Sequence, residues 1–224
     1  MSSIPCRAPV DPPRILFVTV DWPTGAVFSV TVERFAHIVA VGSIHDAVEK
    51  LDESPFGLLI LDRTRDGDDV HALLRAATAR GCSVLVLAGL ARLPITMQEL
   101  IERARSALAA HGLPPELPQL GRRVSQAIEQ IRLNYHGALT VGALASAIHV
   151  SPSHLAHRFR SETGVSVKDY VTKVRIEVAR RLLLETDAKL ESIADAVGFC
   201  DAPHLSRVFV QYTRRRPGEY RRRP

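Results

Sequence analysis

Apolar residues follow two rhythms along this chain, and the change between them falls near its middle. In the first part, short and mainly apolar runs stand at residues 15–20, 38–41, 58–61 and 83–88, set apart by stretches of mixed polarity. Runs of this length bounded by turn-forming residues read as strands buried on both faces. Between the first two runs lies a weakly helical segment reaching about Ala36. Ser43 with Asp46 three residues on has the spacing of a capping box for a helix ending near Leu51. A helix over 70–80 carries Val70, Leu73, Leu74 and Ala77 on one face and stops at Gly81. Thr96 with Glu99 opens a further helix running to about Ala110, before Gly112. Strands alternating with helices predict a parallel sheet covered on both sides.

The second part is helical in period. Val124, Ile128, Ile131 and Tyr135 form the buried side of a helix over about 120–135, and Val167, Val171, Val174, Val178 and Leu182 form a longer stripe. Ser166 and Asp169 have capping spacing at the start of that long helix, whose stripe is expected to be core. On either side of it a pattern repeats: His154-Leu155, then Phe159, returns fifty residues later as His204-Leu205, then Phe209. Each copy follows a short Ala-containing apolar segment and a break, at His149 in the first and Gly198 in the second. A small residue at a close helix crossing and a break that tolerates positive φ are the requirements of a helix-turn-helix. Ser151 with Pro152, and Asp201, have the chemistry to cap the second helix of each unit. Leu155 and Phe159, like Leu205 and Phe209, anchor one face of that helix. Ser153, Ala156 and His157, and Pro203, Ser206 and Arg207, are then left on the outside.

Charge separates the same two parts. Residues 1–118 hold 11 Lys and Arg against 14 Asp and Glu, net −3, whereas residues 119–224 hold 18 against 10, net +8. The basic residues cluster at Arg122-Arg123, Arg158 and Arg160, Arg180-Arg181, Arg214-Arg215-Arg216 and Arg221-Arg222-Arg223. Basic clusters coinciding with two recognition helices point to a double-stranded DNA partner, with phosphates as the main electrostatic target. No apolar run is long enough for a membrane span, and Pro5, Pro9, Pro12 and Pro13 interrupt any signal-like segment, so a cytoplasmic location is expected. Cys6, Cys82 and Cys200 are odd in number and far apart, which suggests neither a disulfide framework nor a zinc site. No cofactor is implied. The expected organisation is a Pro-rich arm over 1–13, an α/β part over 14–110, a short stiff linker over 111–121 with three prolines, and an all-α part over 122–224.

Several of these stretches occur together in one known family. Ser151-Pro152-Ser153-His154-Leu155 with Phe159 and Glu162-Thr163-Gly164, then Arg175-Ile176 and Ala179, then Ile193-Ala194, Gly198-Phe199, His204-Leu205-Ser206-Arg207 and Phe209, closely resemble the DNA-binding domain of AraC/XylS transcription regulators. Pro217 and Tyr220-Arg221 continue the match, whereas Ala156, His157, Val210 and Arg214-Arg215-Arg216 depart from that family's usual residues. The resemblance implies a transcription regulator whose two recognition helices enter adjacent major-groove segments. Its DNA-contacting set would be Ser153, Ala156, His157, Arg158, Arg160, Pro203, His204, Ser206, Arg207, Arg221 and Arg222.

Residues 14–110 resemble a truncated flavodoxin-like receiver domain of response regulators, with Asp62 where that family carries its phosphorylated Asp. Thr19, Val20, Ala88 and Leu93 stand where the family has its metal-binding acids, hydroxyl residue and Lys, so a role without phosphorylation is expected. This part is expected to regulate or to self-associate. A homodimer, a small-molecule or protein effector and RNA polymerase are the further partners left open. An enzymatic reading, an alkyl-transfer repair module using a reactive Cys, would fall on Cys6, which has no Cys or His beside it.

Overall fold

The computed structural model describes residues 12–62, 68–87, 95–110 and 117–221. Four parallel strands, β1 (Arg14–Val18), β2 (His37–Val41), β3 (Leu58–Asp62) and β4 (Ser83–Leu87), form one sheet in the order β2-β1-β3-β4. The register is continuous, with Phe17 opposite Ala40 and Ile60. Helices cover both faces: α1 (Trp22–Val32) and α4 (Met97–Ala110) on one, α2 (Ile44–Glu53) and α3 (Asp68–Ala79) on the other. The alternation of strand side chains decides which core each residue joins. Leu16, Val18, Leu59 and Leu61 meet Ala47, Leu51, Leu73 and Ala77 beneath α2 and α3. Ile15, Phe17, Leu58 and Ile60 meet α1 and α4.

That second core does not stop at the sheet. It continues without a break into the helical half through Leu117, Leu120, Val124, Ile128, Tyr170, Val174, Val178 and Phe209. The helical half comprises α5 (Arg122–Asn134), α6 (Val141–Ala147), α7 (Pro152–Thr163), α8 (Val167–Glu185), α9 (Leu190–Val197), α10 (Ala202–Thr213) and α11 (Pro217–Arg221). Leu117 and Leu120 are buried, and Arg105 of α4 donates to the carbonyls of Leu117 and Pro118 at 3.1 and 2.8 Å. The end of the proline-rich stretch is thereby tied to α4.

α1 sits between the sheet and α8. Asp21 caps it by accepting from the Thr24 amide at 3.3 Å, and Pro23 lies in its first turn, where the missing N–H is harmless. The sequence over 22–32 looks only weakly helical because eight of its eleven residues are buried, which leaves no polar face to produce a period. One side carries Phe28, whose ring meets Phe17 edge-on at 5.4 Å. The other side lies along α8. The stripe expected on α8 is buried at Val167, Val171, Val174 and Val178 and half-buried at Leu182, and the side along α1 also holds the buried Tyr170 and Arg181.

Candidate nucleic-acid interface

Each helix-turn-helix is held by a small number of local bonds. Thr140 caps α6 by accepting from the Ala143 amide at 3.1 Å, and Ser151 caps α7 by accepting from the His154 amide at 3.2 Å. In the second unit Asp201 accepts from the His204 amide at 2.6 Å to start α10. That bond is the main cause holding the Asp201 carboxyl below its ordinary range. The turns need a left-handed residue, and both break residues adopt it, His149 at φ 55° and Gly198 at φ 80°. Leu155 and Phe159 are buried, as are Leu205 and Phe209. Ser153, Ala156, His157, Arg158 and Arg160 are exposed on α7; Pro203 and Arg207 are exposed on α10, with His204 and Ser206 half-buried.

The repeat extends further than the helices that announce it. Thr163 and Thr213 return their hydroxyls to the carbonyls of Phe159 and Phe209 at 2.7 and 2.8 Å. The next residues, Gly164 and Arg214, are both left-handed, at φ 80° and 61°. Tyr170 and Tyr220 then stand edge-on to those phenylalanines, with centroids 5.2 and 5.5 Å apart. The hydroxyls of the two tyrosines go to different places. Tyr170 reaches Thr31 Oγ1 at 2.6 Å and the Val27 carbonyl at 3.2 Å, both on α1, whereas Tyr220 accepts from Arg180 of α8 at 3.2 Å.

The arginines fall into two groups. Arg160 and Arg207 are exposed, and no ion pair among the described residues holds either. Arg158 pairs with Glu162 at 2.8 Å, and Glu162 in turn accepts from the Gly121 amide at 2.7 Å. Arg221 donates to the Ala188 carbonyl, and Arg222 lies outside the described residues. Arg180-Arg181, expected from the sequence to belong to the basic surface, point inward instead. Arg180 is held by Glu177 at 2.7 Å, and Arg181 lies over the Trp22 ring at 5.3 Å. Burial lowers the Arg181 pKa to about 10. For Arg181 the reason is α1, whose Trp22 covers that side of α8; Arg180 is held within the helical half, where it also donates to the Tyr220 hydroxyl.

Arg175, quoted above only for the family resemblance, ties the second unit to the rest. Its guanidinium donates to the carbonyls of Tyr135, Gly137 and Gly198 at 2.7, 2.7 and 2.8 Å. The planar fork of Arg holds its donors in a fixed geometry that suits three fixed acceptors.

In the sheet half, Asp62 is buried and accepts from the Thr19 hydroxyl at 3.0 Å. Asp21 is engaged as the α1 cap, also accepts from the Thr24 hydroxyl at 2.7 Å, and lies 3.8 Å from Arg132. Ala88 and Leu93 lie outside the described residues, as does Cys6. Cys82 is buried; Cys200 is exposed, with Sγ 3.2 Å from His204 Nδ1. Among the described residues no helix is long and apolar enough to cross a membrane, and no group of three His, Cys, Asp or Glu is placed to hold a metal.

Residues 144–223 match a family model described as a helix-turn-helix domain. A helix-turn-helix transcriptional regulator of Escherichia coli K12, YijO, is 38% identical over 88 residues, covering 39% of this chain and 31% of that protein. A protein of Streptomyces antibioticus described as an AraC-like transcription regulator is 42% identical over 85 residues, or 38% of this chain and 28% of its own. AdaA of Bacillus subtilis, a bifunctional transcriptional activator and DNA repair enzyme, is 31% identical over 93 residues, or 42% and 44%. The chain thus spans less than half the length of each of these relatives. Residues 144–223 of this protein are a helix-turn-helix domain, similar to that of the AraC-like regulator.

Proposed function

We propose that the protein is a sequence-specific transcription regulator that binds double-stranded DNA through residues 122–224 and is regulated through residues 14–110. The observation that carries this reading is the pair α7 and α10. Both present an exposed face from a capped N-terminus, both are anchored by Leu and Phe at equivalent positions, and both lie in the basic half. Two such helices read successive major-groove segments when set about one turn, roughly 34 Å, apart. Ser153, Ala156, His157 and Arg160 on α7, and Pro203, His204, Ser206 and Arg207 on α10, are the side chains offered to base edges and nearby phosphates. Arg158, Arg221 and Arg222 are assigned to the phosphate backbone. Selection of bound sites from random DNA, followed by titration against scrambled DNA, tests the reading: a protein that enriches no sequence is not such a regulator.

The sheet order is that of the first four strands of a flavodoxin-like fold, which supports the receiver-like reading of the N-terminal half. Control without phosphorylation is favoured by Asp62 holding the Thr19 hydroxyl and by Asp21 serving as a helix cap. Acetyl phosphate with Mg²⁺ is expected to leave DNA affinity and oligomeric state unchanged; a change that vanishes in Asp62→Asn would make the protein a phosphorylated response regulator. A small-molecule effector is a second reading, favoured by a cleft of about 340 Å³ between the halves, lined by Ser29, Glu33, His37, Arg180 and Tyr212 among others. Self-association and contact with RNA polymerase extend the reading, and sedimentation with and without operator checks the first of them.

A further inference from the structure

The two helix-turn-helix units are built alike down to one ring contact, and they differ in what lies behind that ring. In each unit the phenylalanine on the inner face of the recognition helix, Phe159 or Phe209, meets the edge of a tyrosine eleven positions on. Tyr220 is half-buried, and the partner of its hydroxyl, Arg180, comes from within the helical half. Tyr170 is fully buried, and its hydroxyl is held by α1 of the sheet half. The Thr31 hydroxyl reaches the Val27 carbonyl at 2.6 Å, the Tyr170 hydroxyl reaches the same carbonyl at 3.2 Å, and the two hydroxyls lie 2.6 Å apart. A continuous contact therefore runs from α1, through the Tyr170 side chain, to Phe159 and the core side of α7. Among the described residues the helical half offers the Tyr170 hydroxyl no counterpart of Arg180.

We propose that Tyr170 is a positioning residue through which the N-terminal half sets the pose of α7. The DNA segment read by α7 then depends on that half, and the segment read by α10 does not. This inference rests on the DNA-reading function above. Closely packed cores hold discrete arrangements, so a change in how α1 meets α8 is passed to α7 as a displacement. A signal received by the sheet half would thus alter one half of the operator contact and leave the other as an anchor.

The test uses the full-length protein and a site selected from random DNA, remade with either half scrambled. DNA cleavage from an iron chelate tethered at exposed Cys200, in a Cys6→Ser background, marks the half lying under α10. Thr31→Val keeps the side-chain volume and removes the hydroxyl; Tyr170→Phe removes the other partner. Each is expected to lower discrimination at the α7 half by about threefold to tenfold, the worth of one buried hydrogen bond, with the α10 half unchanged. Tyr220→Phe should show the reverse, and Thr31→Ser should restore the wild-type profile. Equal losses at both halves, or a lowered melting temperature with discrimination intact, would make Tyr170 an ordinary core residue and overturn the proposal. A wild-type protein that selects no site would instead remove the DNA-reading function itself.

Discussion

Gly198 stands so close to the His136 carbonyl that a β-carbon built on it would lie 2.2 Å from that oxygen. The backbone there is also left-handed, at φ 80°. Any L side chain therefore meets two penalties at once, about 1–2 kcal/mol for the left-handed conformation and a clash that only backbone movement relieves. Gly198→Ala is expected to cost about 3 kcal/mol or more, read from the urea midpoint, and to abolish tight DNA binding.

The equivalent turn of the first unit offers the opposite experiment. His149 is exposed and holds φ 55° without a glycine's freedom. His149→Gly should raise stability by about 0.5–1 kcal/mol, because the strain it removes exceeds the added freedom of the unfolded chain. A destabilised His149→Gly protein would show that the imidazole makes a contact of greater worth than the strain.

Arg175 gives a third prediction, about charge and shape together. Three carbonyls from the end of α5, the following turn and the second helix-turn-helix converge on one guanidinium. Arg175→Lys keeps the charge but cannot reach all three acceptors from one ammonium. Both Arg175→Lys and Arg175→Met should lose about 1–3 kcal/mol, the cost of leaving part-buried carbonyls unpaired. A fully tolerated Lys would mean that charge alone is what the site needs.

What could be read from the sequence was whatever depends on neighbours along the chain. The caps at Ser43, Thr96, Ser151, Ser166 and Asp201 bond to the third residue on, as their spacing predicts. The four strands could be found because each is a short apolar run. What could not be read is the seam between the halves. Thr31 and Tyr170 are separated by 139 positions, and neither is unusual in its local pattern. The same seam explains Arg181: a basic pair on a long helix reads as a surface feature until an aromatic ring, here Trp22, is known to cover it.

Cys82 supplies a prediction in pH. Burial pushes this thiol from its ordinary 9.0 to about 11 in the folded protein. The folded state therefore holds the proton more tightly than the unfolded chain does. The stability this contributes is complete below about pH 9 and falls away as the pH rises through about 11. Cys82→Ala should show a shallower loss of stability than wild type across that window in urea titrations. In native protein at neutral pH, a thiol reagent should modify exposed Cys200 and leave Cys82 untouched until unfolding.

Arg207 and the arginines of the C-terminal tail should differ in kind when removed. Arg207 projects from the outer face of α10 with no ion pair among the described residues, and neither Glu191 nor Asp195 takes it. Set against the O6 and N7 of a guanine, its guanidinium would give about 1–3 kcal/mol of discrimination. Arg207→Ala should accordingly weaken binding to the selected site and leave binding to scrambled DNA nearly intact. Arg222 and Arg223 follow both recognition helices in the sequence and add to its basic tail, so their neutralisation should weaken binding to both DNAs equally. It should also reduce the slope of log affinity against log salt by about 0.9 for each phosphate left without a cation. Arg221 combines two effects, since it also donates to the Ala188 carbonyl; Arg221→Ala should lower the melting temperature as well as the affinity. Titrations on both DNAs across a salt series separate the three. Equal loss on selected and scrambled DNA for Arg207→Ala would place that residue on the phosphates and remove it from the base-reading set.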